Sequence, residues 1–146
     1  MIDLVKRELK KYINDEKAKY YPKFFKAFKG GYGEGDKFIG VTVPNQRKVA
    51  NKFYKDISLM EIQNLLKENT HEYRLTSLFM LTYKYERSEI TNQKKEIVDL
   101  YLKNAKNINN WDLVDATAYK ILGDFLLNHI MMILIMSHSG DNLLLW

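Results

Sequence analysis

The sequence predicts an all-α domain assembled from short helical hairpins. Apolar residues recur at spacings of three and four along most of the chain, which puts one buried face on each helix. No stretch alternates apolar and polar residues as a half-buried strand does. The periodic segments are short and separated by a few turn-forming residues, as in helices packed against their sequence neighbours. A chain of 146 residues with 46% apolar content is long enough for one domain with its own core and too apolar for disorder. Residues 1–146 are therefore read as a single helical-repeat domain.

Residues 2–14 are predicted as an amphipathic helix, with Leu4, Val5, Leu9, Tyr12 and Ile13 at apolar spacing. A second helix is predicted over 15–28, with Pro22 marking either its start or a kink. It carries Tyr20, Tyr21, Phe24, Phe25 and Phe28. Such rings can stack on bases, but at this spacing they are expected to be core. Residues 29–43 hold five of the seven glycines and form the one long irregular segment. No strand precedes Gly33-Glu34-Gly35 and no Walker lysine follows, so a phosphate loop is not supported. A plain connector and a loop whose backbone N–H groups approach a DNA phosphate both remain open.

Pro44 suits the first turn of a helix over 44–54. On it Arg47, Lys48 and Lys52 are expected to share one side, and Val49, Ala50, Phe53 and Tyr54 to supply apolar contacts. Ser58 and Glu61 form a capping box that opens a helix with Leu59, Ile62, Leu65 and Leu66 inward. Thr70 is expected to cap the next, through Glu86, with Leu75, Leu78, Phe79 and Thr82 on one face. Ser88 is expected to cap another, to about Lys103, with Ile90, Ile97 and Tyr101 aligned. The pairs 44–54 with 58–68 and 70–86 with 88–103 read as stacked hairpins, which curve and offer a concave surface.

The net charge of +5 is uneven: +7 over residues 1–60 and −2 over 61–146. A basic half suits an anionic partner such as nucleic acid or a membrane surface, and equally suits a solvated basic face. With no cysteine there is no disulfide and no thiolate metal site. His71, His129 and His138 are scattered, so no metal is expected and each reads as a surface or helix-end residue. Lys6, Arg7, Lys10 and Lys11 interrupt any apolar leader. The longest apolar run, Ile130 to Met136, falls far short of the roughly 20 residues of a membrane helix. A cytoplasmic, non-membrane protein is expected.

The most informative stretch is Ile108-Asn109-Asn110-Trp111-Asp112-Leu113-Val114-Asp115. Asn109 or Asn110 can serve as the N-cap of a helix running on through Ala118, Ile121, Leu122 and Phe125. Trp111 and Asp115, four apart, then share one face near the positive end of the helix dipole, where negative charge is favoured. Leu113 and Val114 are expected to turn inward. Taken alone, a tryptophan and an aspartate at this spacing are more often a core ring and a helix-start charge.

Three ordered segments carry a resemblance. Tyr32-Gly33-Glu34-Gly35-Asp36-Lys37-Phe38-Ile39-Gly40-Val41-Thr42-Val43-Pro44 with Arg47-Lys48, then His71-Glu72-x-Arg74, then Asn109 to Asp115 followed by Gly123-Asp124-Phe125-Leu126, resemble the DNA alkylation repair family, the AlkD-type alkylpurine DNA glycosylases. The resemblance covers residues 1 to about 129. It implies a superhelix of HEAT-like repeats whose concave basic face holds duplex DNA. It also implies base excision repair by hydrolysis of the N-glycosidic bond of cationic alkylated purines, of the 3-methyladenine and 7-methylguanine type. Trp111 would lie against the lesion's deoxyribose and Asp115 would be the catalytic carboxylate, with no cofactor. Arg47, Lys48 and Lys37 are the candidates for phosphate contacts, and Arg74 is expected in a salt bridge within its own hairpin.

From Ile130 onward the text departs from the family, apart from a faint echo in Ser139-Gly140-Asp141-Asn142-Leu143 and Trp146. The family's DNA-binding arginine beyond that tryptophan has no counterpart, and no arginine follows Arg87. The domain is thus expected to be incomplete at its C-terminal end relative to the family, by truncation or a frame error, and its activity reduced or absent. A monomer is expected, with 130–136 able to associate two chains. The alternatives to the glycosylase are a non-catalytic duplex-DNA binder and a helical-repeat scaffold.

Overall fold

The computed structural model describes the chain apart from Tyr32, Asn109, Asn110 and residues 140–146, and apart from the side chains of Trp111, Met136, His138 and Ser139. It is 73% helical with no strand among the described residues, so the all-α expectation holds. The helices are α1 (Ile2–Lys10), α2 (Asp15–Phe24), α3 (Val43–Phe53), α4 (Leu59–Leu66), α5 (His71–Arg87), α6 (Thr91–Lys103), α7 (Trp111–Ala118) and α8 (Asp124–Ser139). A 3-10 turn at Ala105–Asn107 leads toward α7, and a π-helical turn at Tyr119–Gly123 joins α7 to α8.

Local chemistry sets most of the boundaries. The Asn14 side chain accepts the Lys17 N–H at 3.0 Å and starts α2. Pro22 is therefore not the start; it lies inside α2, which ends at Phe24 rather than Phe28 as the chain turns through Lys26 at φ +49°. Pro44 sits in the first turn of α3 as expected. The Ser58–Glu61 capping box forms in both directions, with bonds of 3.2 and 3.0 Å. Thr70 precedes α5 but its side chain makes no capping bond. Ser88 does not open α6. It closes α5, its hydroxyl bonds the Gln93 side chain at 2.9 Å, and Ile90 precedes α6 with its side chain exposed. The capping expectation for Asn109 and Asn110 lies outside the described residues.

The helices fall into two rows. α1 packs on α3, α3 on α5 and α5 on α7; α4 packs on α6 and α6 on α8. Helix α5 joins the rows, contacting α3, α4, α6 and α7. That position buries every residue from His71 to Thr82, not the single face expected. Ile62, Leu65, Leu66, Leu78, Phe79, Leu113 and Ile121 are at the centre of the core. Tyr101 and Thr117 share a hydrogen bond of 3.0 Å between α6 and α7. The buried Tyr85 hydroxyl donates to Asp124 at 2.7 Å, tying α5 to the start of α8.

Helix α8 is apolar on nearly every side, and Leu126, Leu127, Ile130, Met131, Met132, Ile133, Leu134 and Ile135 are exposed. Because α7 runs on into α8, the helical stretch Asp112–Ile135 spans 24 residues with a window of mean hydropathy 1.4, of which 11% is buried. By length and composition alone it is long enough to cross a membrane, which revises the view taken from 130–136 in isolation.

Candidate functional site

The site is built on the first turn of α5. Glu72 is 1% exposed, and its carboxylate accepts the backbone N–H groups of Ile39, Gly40 and Val41 at 3.0, 2.6 and 3.1 Å. These three donors form a concave anion site, and the protein's own carboxylate fills it. The Gly40 region therefore does not offer these donors to a DNA phosphate, which decides against that use of residues 39–41. Gly40 is required here twice over. Its φ is +80°, and an added Cβ would lie 2.0 Å from the Asn14 carbonyl oxygen. The clamp sets the path of the chain into α3, and Gln46 adds a bond from its amide nitrogen to the Val41 carbonyl at 2.9 Å. Lys37 and Thr70 pair through their backbones beside this turn, with bonds of 2.9 and 2.8 Å flanking the bridge.

The same turn fixes the approach to α7. His71 is 2% exposed, and its Nε2 lies 2.6 Å from Asp112 Oδ2. Its Nδ1 faces Asp36 at 3.5 Å. Arg74 pairs with Asp36 at 2.6 Å and donates to the Asn107 carbonyl at 3.3 Å. Arg74 thus holds the chain just before the Asn-Asn-Trp-Asp segment, and His71 holds the segment's last residue, Asp112, in the first turn of α7. Burial acts to lower the His71 pKa, but the hydrogen-bonded Asp112 and Asp36 carboxylates outweigh it, even against the nearby Arg74 cation, and the net direction is upward. Phe25 and Phe38 stack on the His71 ring at 4.8 and 4.9 Å and dock α2 onto the site. A cavity of about 180 Å³ lies beside this cluster, lined by Tyr21, Phe25, Val41, Gln46, His71 and Asp112 among others.

The two aspartates of the motif have different fates. Asp112 turns in to His71, whereas Asp115 is exposed on α7 one turn after Trp111. Among the described residues no ion pair or side-chain hydrogen bond holds Asp115. The expected stacking of Trp111 beside Asp115 falls on a side chain outside the described residues. Leu113 is fully buried as expected, but Val114 is 42% exposed. α7 packs mainly against α5, and Val114, about a third of a turn from Leu113, faces away from it.

The cation candidates do not form one row. The Arg47 guanidinium lies 4.1 Å from the centroid of the Phe79 ring on α5. Lys48 is 5.5 Å from the Tyr12 ring and Lys52 is 3.2 Å from Glu8, so both face α1. Lys37 and Lys48 are exposed and Arg47 is half-buried. α3 and α7 flank α5, which sets Arg47 and Asp115 on helices separated by one neighbour.

Two expectations for α5 and its surroundings are refined. His71 does head a helix, but it is buried rather than at the surface. Arg74 pairs outside its hairpin, with Asp36. The positioning residues Asp36, Glu72 and Asp112 were not singled out by sequence reasoning. The available signal was a histidine, a glutamate and an arginine crowded into one turn at the start of a helix whose next turns carry the apolar Leu75, Leu78 and Phe79, since charge in a core calls for partners.

These features define an all-α domain in which one buried polar turn fixes both the glycine loop and the tryptophan–aspartate helix. The chain matches the family of DNA alkylation repair enzymes over residues 5–146, and it belongs to that family. Membership gives it an enzyme's role in alkylation repair, with DNA as its partner. The match runs through residues 130–146, so the tail set apart on sequence grounds falls inside the family's span. No curated protein and no solved structure matches the chain.

Proposed function

We propose that the chain is a DNA glycosylase that hydrolyses the N-glycosidic bond of cationic N-alkylated purines, of the 3-methyladenine and 7-methylguanine type, in duplex DNA. The observation that carries this reading is the division of the motif's two aspartates. Asp112 is committed to His71, and Asp115 is left exposed on the same helix. An exposed carboxylate that no described cation neutralises keeps its full charge for a cationic sugar brought against α7.

The chemistry asks little of the protein. An N-alkylated purine already carries positive charge and leaves with the electron pair of its C1′–N bond, becoming neutral without a general acid. The sugar left behind is oxocarbenium-like. Asp115 stabilises that charge and orients the water that adds to C1′, taking up its proton. Trp111 against the deoxyribose adds cation–π attraction on the order of 1 kcal/mol or more when desolvated. Arg47, Lys48 and Lys37 contact phosphates, and no cofactor is needed. The two helix rows fit a HEAT-like superhelix with a concave DNA face. A cytoplasmic monomer completes the proposal.

The test is release of 7-methylguanine from alkylated duplex DNA by the chain and by Asp115→Asn. Release by the parent, at the reduced rate expected from the sequence, that falls about a hundredfold or more in the variant is expected. Release that survives the substitution refutes the role of Asp115. No release with duplex binding intact refutes the glycosylase for this chain and leaves a DNA binder.

A further inference from the structure

Helix α2 has no buried residue. Its aromatic residues divide into two stripes. Tyr21 and Phe25, four apart, point inward, packing on Phe38 at 6.1 and 5.4 Å. Tyr20 and Phe24, also four apart, lie beside them and are 57% and 48% exposed, with their rings 5.9 Å from each other. Phe28, beyond the turn at Lys26, is 55% exposed. The rings expected in the core are therefore half core and half surface, because α2 lies at the edge of the two rows and only one of its faces meets them.

Lysines surround the exposed stripe. Lys17, Lys19, Lys23 and Lys29 are all exposed, and among the described residues no ion pair holds any of them. A row of flat rings with cations beside it matches single-stranded nucleic acid, whose bases stack on aromatic faces while its phosphates meet the lysines. An anionic membrane surface also attracts basic helices, but those insert aliphatic side chains along with aromatics. Helix α2 contains no Leu, Ile, Val or Met.

We propose that the exposed rings Tyr20, Phe24 and Phe28, with Lys17, Lys19, Lys23 and Lys29, form a binding surface for single-stranded DNA at the outer edge of the cavity that Tyr20 and Phe24 line together with Gln46, His71 and Asp112. The surface accepts unpaired stretches with little regard to sequence, since every base has a face to stack. It stands whether or not Asp115 is catalytic.

The experiment is fluorescence anisotropy of a short labelled oligo(dT) across a salt series, with labelled duplex of the same length and phosphatidylserine vesicles run alongside. Tyr20→Ala and Phe24→Ala are each expected to weaken oligo(dT) binding about tenfold, while Tyr20→Trp retains it. Each Lys→Gln change in the set should lower the salt slope by about 0.7. Arg47→Ala should weaken duplex binding and leave oligo(dT) binding within about twofold, which distinguishes stacking on the α2 rings from phosphate contact at Arg47. Circular dichroism checks that each variant keeps its helix content. Absence of oligo(dT) binding by the parent overturns the proposal. So does oligo(dT) affinity unchanged in both alanine variants, or vesicle binding through these residues without oligo(dT) binding.

Discussion

Replacing Glu72 tests the frame on which the site is built. In the parent one carboxylate satisfies three backbone donors at 2.6 to 3.1 Å, in a place almost closed to water. A hydrogen bond to a charged group contributes about 1.5–3 kcal/mol, and a buried donor left unsatisfied costs about 1–3 kcal/mol. Glu72→Gln keeps one acceptor oxygen and turns the other into a donor that faces donors. All three N–H groups meet Oε2, so the amide oxygen can keep them, but the new NH2 faces the Ile39 N–H and each of the three bonds loses about 1 kcal/mol of charge assistance, so the loss is about 3 kcal/mol. For a chain of this length that corresponds to a fall in Tm of roughly 10 °C. Urea unfolding followed by circular dichroism measures it directly, with Glu72→Asp as a control that keeps the charge and shortens the reach. A loss under about 1 kcal/mol for Glu72→Gln refutes the argument, because it means the charge of Glu72 adds little to the three bonds.

Three further outcomes follow from the same geometry. Gly40→Ala combines φ +80° with a Cβ 2.0 Å from the Asn14 carbonyl, so a loss of about 3 kcal/mol or more is expected in the same unfolding assay. Since the His71 pKa is raised from 6.5 in the folded state, its contribution to stability is fully present below pH 6.5 and is lost as pH rises through the raised value. Urea midpoints measured across that range should fall for the parent and stay flatter for His71→Asn, which lacks the titrating ring. Arg47→Ala should weaken duplex binding and reduce the salt slope by about 0.9 if its guanidinium meets a phosphate. An unchanged slope would assign Arg47 to the Phe79 ring alone.

Local signals were legible wherever the chemistry is local. The Ser58–Glu61 capping box, Pro44 at the head of α3 and the inward Ile62, Leu65 and Leu66 depend on residues within a turn or two of one another. So does the exposed, helix-borne position of Asp115, four residues after Trp111. What could not be read depends on partners far away in the chain. Glu72 finds its donors more than thirty residues earlier, and His71 finds Asp112 forty-one residues later. Spacing within α5 shows that charges are crowded into its first turn, but not which loop each one holds. The aromatic content of α2 was plain, yet burial depends on which neighbours arrive. At the edge of the rows Tyr21 and Phe25 pack on Phe38, while Tyr20 and Phe24 keep about half of their surface exposed. Ser88 misled because a serine after one helix and before the next suits either end, and here it closes α5.

The π-helical turn at Tyr119–Gly123 can be considered as a matter of phase. In an α-helix each step of four residues overshoots a full turn by about 40°, so a stripe at that spacing winds around the axis. Leu113, Thr117, Ile121 and Phe125 are all buried at that spacing. The wider turn absorbs part of the overshoot and keeps the four aligned over α5 and α6. It also sets the rotation at which α8 begins, bringing Asp124 to Tyr85 and turning Leu126, Leu127 and Ile130 outward. The outward aspect of α8 is thus dictated upstream, by the one extra residue in that turn, and not by the composition of α8, which is apolar nearly all round. A single deletion within 119–123 would leave the composition of α8 intact and rotate the whole helix by about 100°.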